Sequence, residues 1–539
     1  MSKQIKKSLE ARNSIKKGMD TLADIVTATL GPKGRNIIIE KEFGDPDIVQ
    51  DGVIVARSIE LKDRFENTGA ELAKSVAIRT NNEAGDGTTT AIVLAQAMVN
   101  EGMKYSELGI GALGLRRGMK EAISDIVKEL ESLATPIKDK QQMEEIATIS
   151  AKDKSIGKIV ADSMDKVGKT GVVNTEKGQT NEITQEIVEG FRFDKGFVSP
   201  YMVTNREKGV SELADIYILI TDKSISDVQK ILPLLEKVAT QGQKQLAIIC
   251  GDITGNALVT FVVNNVKGTY KGVAIKAPYY GDKQKQALED IAILTGGVVI
   301  SQDVGLELKD VEIEHLGKAK KLVATKDHTT IIEGQGEKEE VKKRIKQLQS
   351  ELDKEKNDYI KETLRERLGR LSGVVAVIKI GANSEVEQRE LETRVEDAIS
   401  ATQSALEEGV VIGGGLALIL ANHTLEHLDK EPLTEDEEKG YKIIMKAIEK
   451  PFIKILENAG EKSEVILEKM IAEHTNKKSN LGYNAETGEY VDMFKEGIID
   501  PKKVVRCALE NAGSIAEMFL STEGVICFED EEIPKQPLA

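Results

Sequence analysis

The chain has 539 residues, with 74 Lys and Arg against 90 Asp and Glu, a formal net charge of −16. Aromatics are 4% of residues and Trp is absent, while 40% are hydrophobic. This balance speaks against nucleic acid, whose binders need basic grooves and stacking rings, against anionic membrane surfaces, and against a disordered acidic chain.

At roughly 150 residues per domain, three or four domains are expected. The first residues, MSKQIKKSLEARNSIKKG, carry Lys but no apolar run, so no secretory signal is expected. Apolar residues then recur at helical spacing over 9–29 and again over 72–99. Between them, 36–40 and 48–56 read as short β runs separated by Gly44 and Pro46, so 1–133 is expected to be helical with a small hairpin.

From 189 to 375 the character changes. Val- and Ile-rich runs at 215–220, 245–250, 272–276 and 298–301 alternate with helical patterns at 226–241, 255–267 and 282–295. Such alternation implies a separate α/β domain with a largely parallel sheet covered on both faces. Within 337–371, Val341, Ile345, Leu348 and Leu352, then Leu364, Leu368 and Leu371, step by three and four. This predicts a helical hairpin with narrow apolar seams and solvated charges. Helix resumes from about 385 to 480. The longest near-apolar stretch, 409–421, holds a glycine triplet and is too short to span a bilayer. Residues 529–539 are polar and expected to fray. Cys250, Cys507 and Cys527 lie far apart with no CxxC, which suits core thiols in a reducing compartment.

The strongest chemical motif is Gly85-Asp86-Gly87-Thr88-Thr89-Thr90 before AIVLAQAMV. It places glycines and hydroxyls at a helix N-terminus, where unpaired N–H groups and the dipole attract anions. Asp86 adds a carboxylate suited to Mg²⁺ beside phosphates. A plain helix cap would need only one Thr. No P-loop pattern accompanies the motif. Thr29-Leu30-Gly31-Pro32-Lys33-Gly34 makes a tight turn whose backbone is open to a phosphate, or simply ends a helix. The triplet in GVVIGGG, 409–415, permits close backbone approach, either to a ligand or to another helix. His423-Thr424-Leu425-Glu426-His427 fits an inverted zinc-protease pattern, but a third ligand is missing and the motif is short.

Taken together, TLGPKGRN at 29–36, QDG at 50–52, GDGTTT at 85–90, VEDA at 395–398, EEGVVIGGG at 407–415, GYNA at 482–485 and IDP at 499–501 closely resemble the group I chaperonins, the GroEL type, over about residues 3 to 528. The resemblance implies a multidomain α/β and α architecture: a helical equatorial ATPase domain (1–133 and 408–539), a small α/β intermediate domain (134–188 and 376–407) and an α/β apical substrate-binding domain (189–375). It implies an ATP-dependent chaperonin that captures unfolded polypeptides. The particle would be a homo-oligomer of two stacked heptameric rings with a GroES-type lid, in the bacterial cytoplasm or, as the alternative, an organelle matrix or stroma. A binding scaffold on the same fold with weak ATPase cycling is the alternative.

By that resemblance Thr29, Leu30, Gly31, Pro32, Gln50, Asp86, Gly87, Thr88, Thr89, Thr90, Gly414, Asn484, Ala485, Glu486 and Asp500 bind ATP. Asp86 holds Mg²⁺, with K⁺ as a further cation. Asp397 orients the attacking water and Asp51 assists near the γ-phosphate. Phe197, Tyr201, Met202, Leu232, Leu235, Leu258, Val262 and Val263 bind polypeptide or the lid, and Gly190 and Gly373 act as hinges. The chain departs from the pattern at Gln50, where Lys is common, at Val374 after Gly373, at Met202 in place of an aromatic, and in lacking Gly-Gly-Met repeats near its end.

Overall fold

The computed structural model describes residues 2–41, 46–168, 172–178, 180–205, 209–240, 245–268, 271–301, 305–355, 358–425, 433–476 and 480–529. The chain forms two compact units. One comprises Met1–Asp165, Lys177–Thr184 and Lys379–Ala539, and the other Lys166–Glu176 and Gln185–Ile378.

The first unit is mainly helical. Helix α1 (Ser8–Thr27) buries Ala11, Ile15, Met19, Leu22 and Val26, a stripe at three- and four-residue spacing. Helix α2 spans Gly52–Ser58, α3 Arg64–Ala84 and α4 Thr88–Glu107. One core joins side chains from Ala11 to Leu130 with others from Val411 to Cys527. The two ends of the chain therefore share one apolar interior, which no local pattern announces. They also pair as strands: Lys3–Lys7 runs antiparallel to Gly524–Phe528, with Lys3 opposite Phe528.

The hairpin expected near residue 40 forms from Ile37–Ile39 and Asp47–Val49. The β run expected over 48–56 does not extend as far as expected. The strand stops at Val49, and the Asp51 carboxylate accepts hydrogen bonds from Val53 N (3.0 Å) and Ile54 N (3.1 Å), which starts α2. Burial of Val53, Val55 and Ala56 then outweighs the weak helix propensity of β-branched residues.

The second unit is built on a mixed sheet. Lys271–Lys276 pairs in parallel with Gln245–Cys250, which pairs in parallel with Ser211–Thr221. Beyond that point the sheet turns antiparallel: Gly317–Ala324 lies between Ser211–Thr221 and Thr329–Gly334. The expectation of a largely parallel sheet thus holds for one half only. A four-residue turn joins Gly317–Ala324 to Thr329–Gly334, and a connection that short forces antiparallel pairing. The helical patterns are realised as Leu232–Thr240, Gly255–Val266 and Asp282–Thr295.

The charged hairpin forms from Lys338–Lys354 and Asp358–Leu371, with Leu348, Leu364 and Leu371 buried. Its charges are not all solvated. Asp290, 1% exposed, accepts from Arg344 Nε (2.9 Å) and from Arg367 Nε (2.8 Å) and Nη2 (2.9 Å). This buried, partly bidentate cluster ties both helices of the hairpin to Asp282–Thr295. Removing one member would leave desolvated charge behind, so the cluster fixes the hairpin's register more than it adds net stability. Among the described residues, no helix is long and apolar enough to cross a membrane. Cys250, Cys507 and Cys527 are free and buried.

Candidate functional site

Within the first unit, segments far apart in sequence meet at the start of α4. Gly85 and Gly87 both adopt positive φ (71° and 80°), so the chain reverses sharply on either side of Asp86. Gly87 is the N-cap of α4 and supplies no side-chain cap. The first N–H groups of a 20-residue helix are thereby left for an external acceptor. No side chain at the N-cap position takes one of these bonds.

Close packing draws the partners in. A Cβ on Gly52 would lie 2.3 Å from Thr89 Oγ1 and 3.2 Å from Thr88 Oγ1, so the Asp51 turn abuts the threonines. A Cβ on Gly85 would lie 2.2 Å from Ser400 Cβ, and Ser404 Oγ donates to the Ala84 carbonyl at 2.9 Å. Both serines lie on Glu385–Glu408, the helix that carries Asp397. Gly87 meets Val504, four residues after Asp500, in the same way. The Asp86 carboxylate accepts from Gly87 N (2.6 Å) and Ser150 Oγ (3.0 Å).

The result is a crowd of recessed carboxylates. Burial pushes Asp51 above the usual carboxylate range against the pull of its two N–H partners and Arg57. Burial raises Asp86 too, with repulsion from Asp51 added and Gly87, Ser150 and Lys152 opposing. Asp397 is driven well above the ordinary range by burial, then by Asp51, Asp86 and Glu396, with Lys152 offsetting in part. Asp500 is pushed up to about 7 by burial and by Asp86, against N–H bonds from Gly414 and Gly415. Oxygen donors that repel one another suit a hard cation accompanied by phosphate oxygens. Among the described residues, no three His, Cys, Asp or Glu are placed to hold a metal by themselves.

The remaining expected positions surround this centre. Val411 pairs with Asp500 across a short two-stranded sheet, and the glycine turn at 413–415 follows. Gly414 (φ 67°) faces Met493 Cε, and Met493 also packs on Gly482 of the hairpin Leu481–Asn484 and Glu489–Asp492. Asn484 spends its side-chain oxygen on Glu486 N (2.9 Å) and Thr487 N (3.3 Å), Ala485 is buried, and Glu486 is exposed. Thr29 is buried with its hydroxyl donating to the Val26 carbonyl (2.9 Å), so its side chain is committed to the end of α1. Gly31 (φ 85°) packs on Ile455, and Pro32 is exposed. The helix Lys450–Ala459 ties the two glycine turns together. Its Phe452 backbone lies under Gly415, and Asn458 Nδ2 donates to the Thr27 and Leu30 carbonyls, both at 2.9 Å.

Sequence reasoning missed Asn458, Ser150 and Lys152. No motif marks them, since each acts by a contact across hundreds or tens of residues. Of the His423–His427 pattern, His423 lies on the helix Leu416–Leu425, and Glu426 and His427 fall outside the described residues.

The second unit carries the other expected surface. Tyr201 is 74% exposed, Val263 42%, and Val259 and Val266, which the sequence did not single out, 61% and 65%. Val259, Val263 and Val266 follow a four-then-three spacing along Gly255–Val266, whose other face buries Ala257 and Phe261. Leu235, Leu258, Val262 and Phe197 are half-buried against the core, and Leu232 is half-buried. Met202 is a correction: it is fully buried, with its sulfur against Ala274 N at 3.3 Å, because its 3₁₀ turn (Pro200–Met202) points it inward while Tyr201 points out. Gly190 and Gly373 are neighbours. Gly190 N donates to the Gly373 carbonyl at 3.2 Å, and a Cβ on Gly190 would strike Val375 at 2.1 Å.

Asp500 yields a pH prediction. Its folded pKa of about 7 exceeds the ordinary aspartate value of 3.8, so the folded chain binds more protons between those values. Its burial therefore costs nothing below about pH 4, and the cost grows until it is complete above about pH 7. Asp500→Asn is expected to raise the melting temperature by a few degrees at pH 8. The gain should fade toward pH 4.5. Thermal denaturation at both pH values is the check, and an equal change at both would contradict the assignment.

A solved structure similar to this chain is that of the chaperonin gp146 from the bacteriophage EL 2 (Pseudomonas aeruginosa), determined in the presence of ATP-BeFx. The likeness has a TM-score of 0.70 at 21% sequence identity, over 98% of this chain and 99% of that one. At that identity it establishes the fold. The model of the TCP-1/cpn60 chaperonin family matches residues 22–529. The chain is therefore a member of the TCP-1/cpn60 chaperonin family.

Proposed function

We propose that the chain is an ATP-driven chaperonin of the group I type, which captures non-native polypeptide on the second unit and is cycled by nucleotide on the first. The observation that carries this reading is the meeting of Asp51, Asp86 and Asp397 beside the uncapped N-terminus of α4. ATP is the substrate that suits it: a polyanion for the free N–H groups and threonine hydroxyls. Asp86, helped by the Thr88 and Thr89 hydroxyls, would hold Mg²⁺, which supplies charge neutralisation at the phosphates. Gly414, Ala485 and Asp500 line the far side for the nucleoside, and the turn at 29–32 offers backbone to the phosphates.

Asp397 is the base in this reading. A carboxylate with a raised pKa accepts a proton from the attacking water more readily than an ordinary one. Asp51 stands by at the γ-phosphate. Catalysis is then positioning and electrostatics rather than covalent chemistry. The division into equatorial (1–133, 408–539), intermediate (134–188, 376–407) and apical (189–375) domains belongs to the same proposal. So do the glycine hinge at 190 and 373, the stacked heptameric rings, the GroES-type lid and a cytoplasmic setting. An exposed aliphatic stripe with one tyrosine suits clients of many sequences, because apolar burial is non-directional.

Two experiments test the proposal. Asp397→Ala is expected to bind ATP with little change and to hydrolyse it at least about 100-fold more slowly, as for loss of a general base. Near-normal turnover would remove Asp397 from that role. Val263→Ser combined with Val259→Ser should leave the ATPase rate intact and weaken capture of a chemically denatured client several-fold, read as loss of aggregation suppression. Unchanged capture would defeat the groove.

A further inference from the structure

A strip of four residues, Ser150 to Asp153, lies along the carboxylate centre. Ser150 Oγ donates to Asp86 (3.0 Å). Lys152 Nζ donates to Gln50 Oε1 (3.1 Å), one residue before Asp51. Arg394, three residues before Asp397, holds the strip from the other side through the Ala151 carbonyl (3.4 Å) and the Asp153 carboxylate (3.9 Å). Lys152 itself caps the helix Lys140–Ala151 in the left-handed region (φ 53°, ψ 28°), a position that usually goes to Gly or Asn. A lysine kept there, in a conformation its side chain disfavours, is an outlier that calls for a functional reason.

Charge supplies the reason. Asp86 and Asp397 both act on the Lys152 ammonium, while burial and Arg394 push its pKa down. Lys152 in turn is the lysine that offsets the raised pKa of both Asp86 and Asp397. A polyphosphate entering beside Asp86 would bring several negative charges into a crowd of carboxylates. It needs a cation from the protein as well as its own metal. Gln50, neutral and hydrogen-bonded to the amine, is suited to hold a cation in place without neutralising it.

We propose that Lys152 is the protein's own cation for the terminal phosphates of the bound nucleotide, with Gln50 as the positioning residue that keeps the ammonium at the site. The assignment rests on the nucleotide reading above and adds a substrate-contacting residue to it. The pair works as a relay of position: Arg394 fixes the strip to the Asp397 helix, so the ammonium and the Asp397 carboxylate are set by the same segment.

Steady-state ATP turnover of the full chain tests this. Lys152→Asn removes the charge while keeping a residue that accepts the left-handed conformation. It is expected to lower kcat/KM by roughly 10- to 100-fold, the scale for one electrostatic contact to a reacting phosphate. Adding Gln50→Lys to that variant restores an ammonium from the opposite side and should recover most of the loss, whereas adding Gln50→Leu should not. If Lys152→Asn melts well below the parent, Lys152→Gly replaces it in the same three-way comparison. Wild-type kcat and KM in the uncharged variant would overturn the proposal. So would a loss that Gln50→Lys and Gln50→Leu repair equally, or that neither repairs. A parent protein that neither binds nor hydrolyses ATP would remove the nucleotide reading, and this inference with it. An active parent with an unaffected Lys152→Asn would remove this inference alone.

Discussion

Carboxylates that share a recess repel one another, and the first unit places Asp51, Asp86 and Asp397 within each other's field, with Asp500 in that of Asp86. Burial raises the pKa of each, that of Asp500 to about 7, so holding them ionised in the recess carries a standing cost. The arrangement makes sense only if something positive arrives. The bare N-terminus of α4 and the Lys152 ammonium meet part of the need, and a metal ion bound to phosphates would meet the rest. Stability is thus held back at the site, and in the proposed reading a bound ligand would release it.

That constraint dictates much of the surrounding construction. Repelling groups stay together only if the elements bearing them are clamped by other forces. Here the clamps are apolar and steric. The shared core of the N- and C-terminal thirds, the close contacts at Gly52, Gly85 and Gly87, and the helix Lys450–Ala459 under both glycine turns all oppose separation. Asp397 is held through Ser400 and Ser404 on its own helix, beside the turn that bears Asp86. In the second unit the buried Asp290, Arg344 and Arg367 cluster plays a comparable part, fixing the charged hairpin while the valine stripe stays outside.

How far this was legible in the sequence depended on how local the physics was. Gly-Asp-Gly-Thr-Thr-Thr was readable because turn chemistry and helix starts are set by neighbours, and α4 begins at Thr88 as expected. The strands at 245–250 and the helix at 282–295 were readable from periodicity for the same reason. The strand expected through residue 56 failed because one capping side chain, Asp51, decides between strand and helix. The antiparallel half of the sheet depended on a four-residue turn within a Lys-rich run that masks its alternation. Met202 and Tyr201 are adjacent, so only the direction of a single 3₁₀ turn separates core from surface. Lys152 and Asn458 were invisible because their partners are remote in sequence. What the family motifs added was the joining of distant segments, which spacing alone does not encode.

With a pKa raised to about 7, Asp500 holds a proton near neutral pH, and in the proposed reading a metal–nucleotide complex in the recess displaces it. Calorimetric titration of the Asp397→Ala protein with Mg²⁺ and ATP, at pH 6.5 in buffers of different ionisation enthalpy, measures that proton directly. Net proton release on binding is expected, on the order of one proton per chain and falling away by pH 9. Binding with no release at either pH, or with proton uptake, would contradict it.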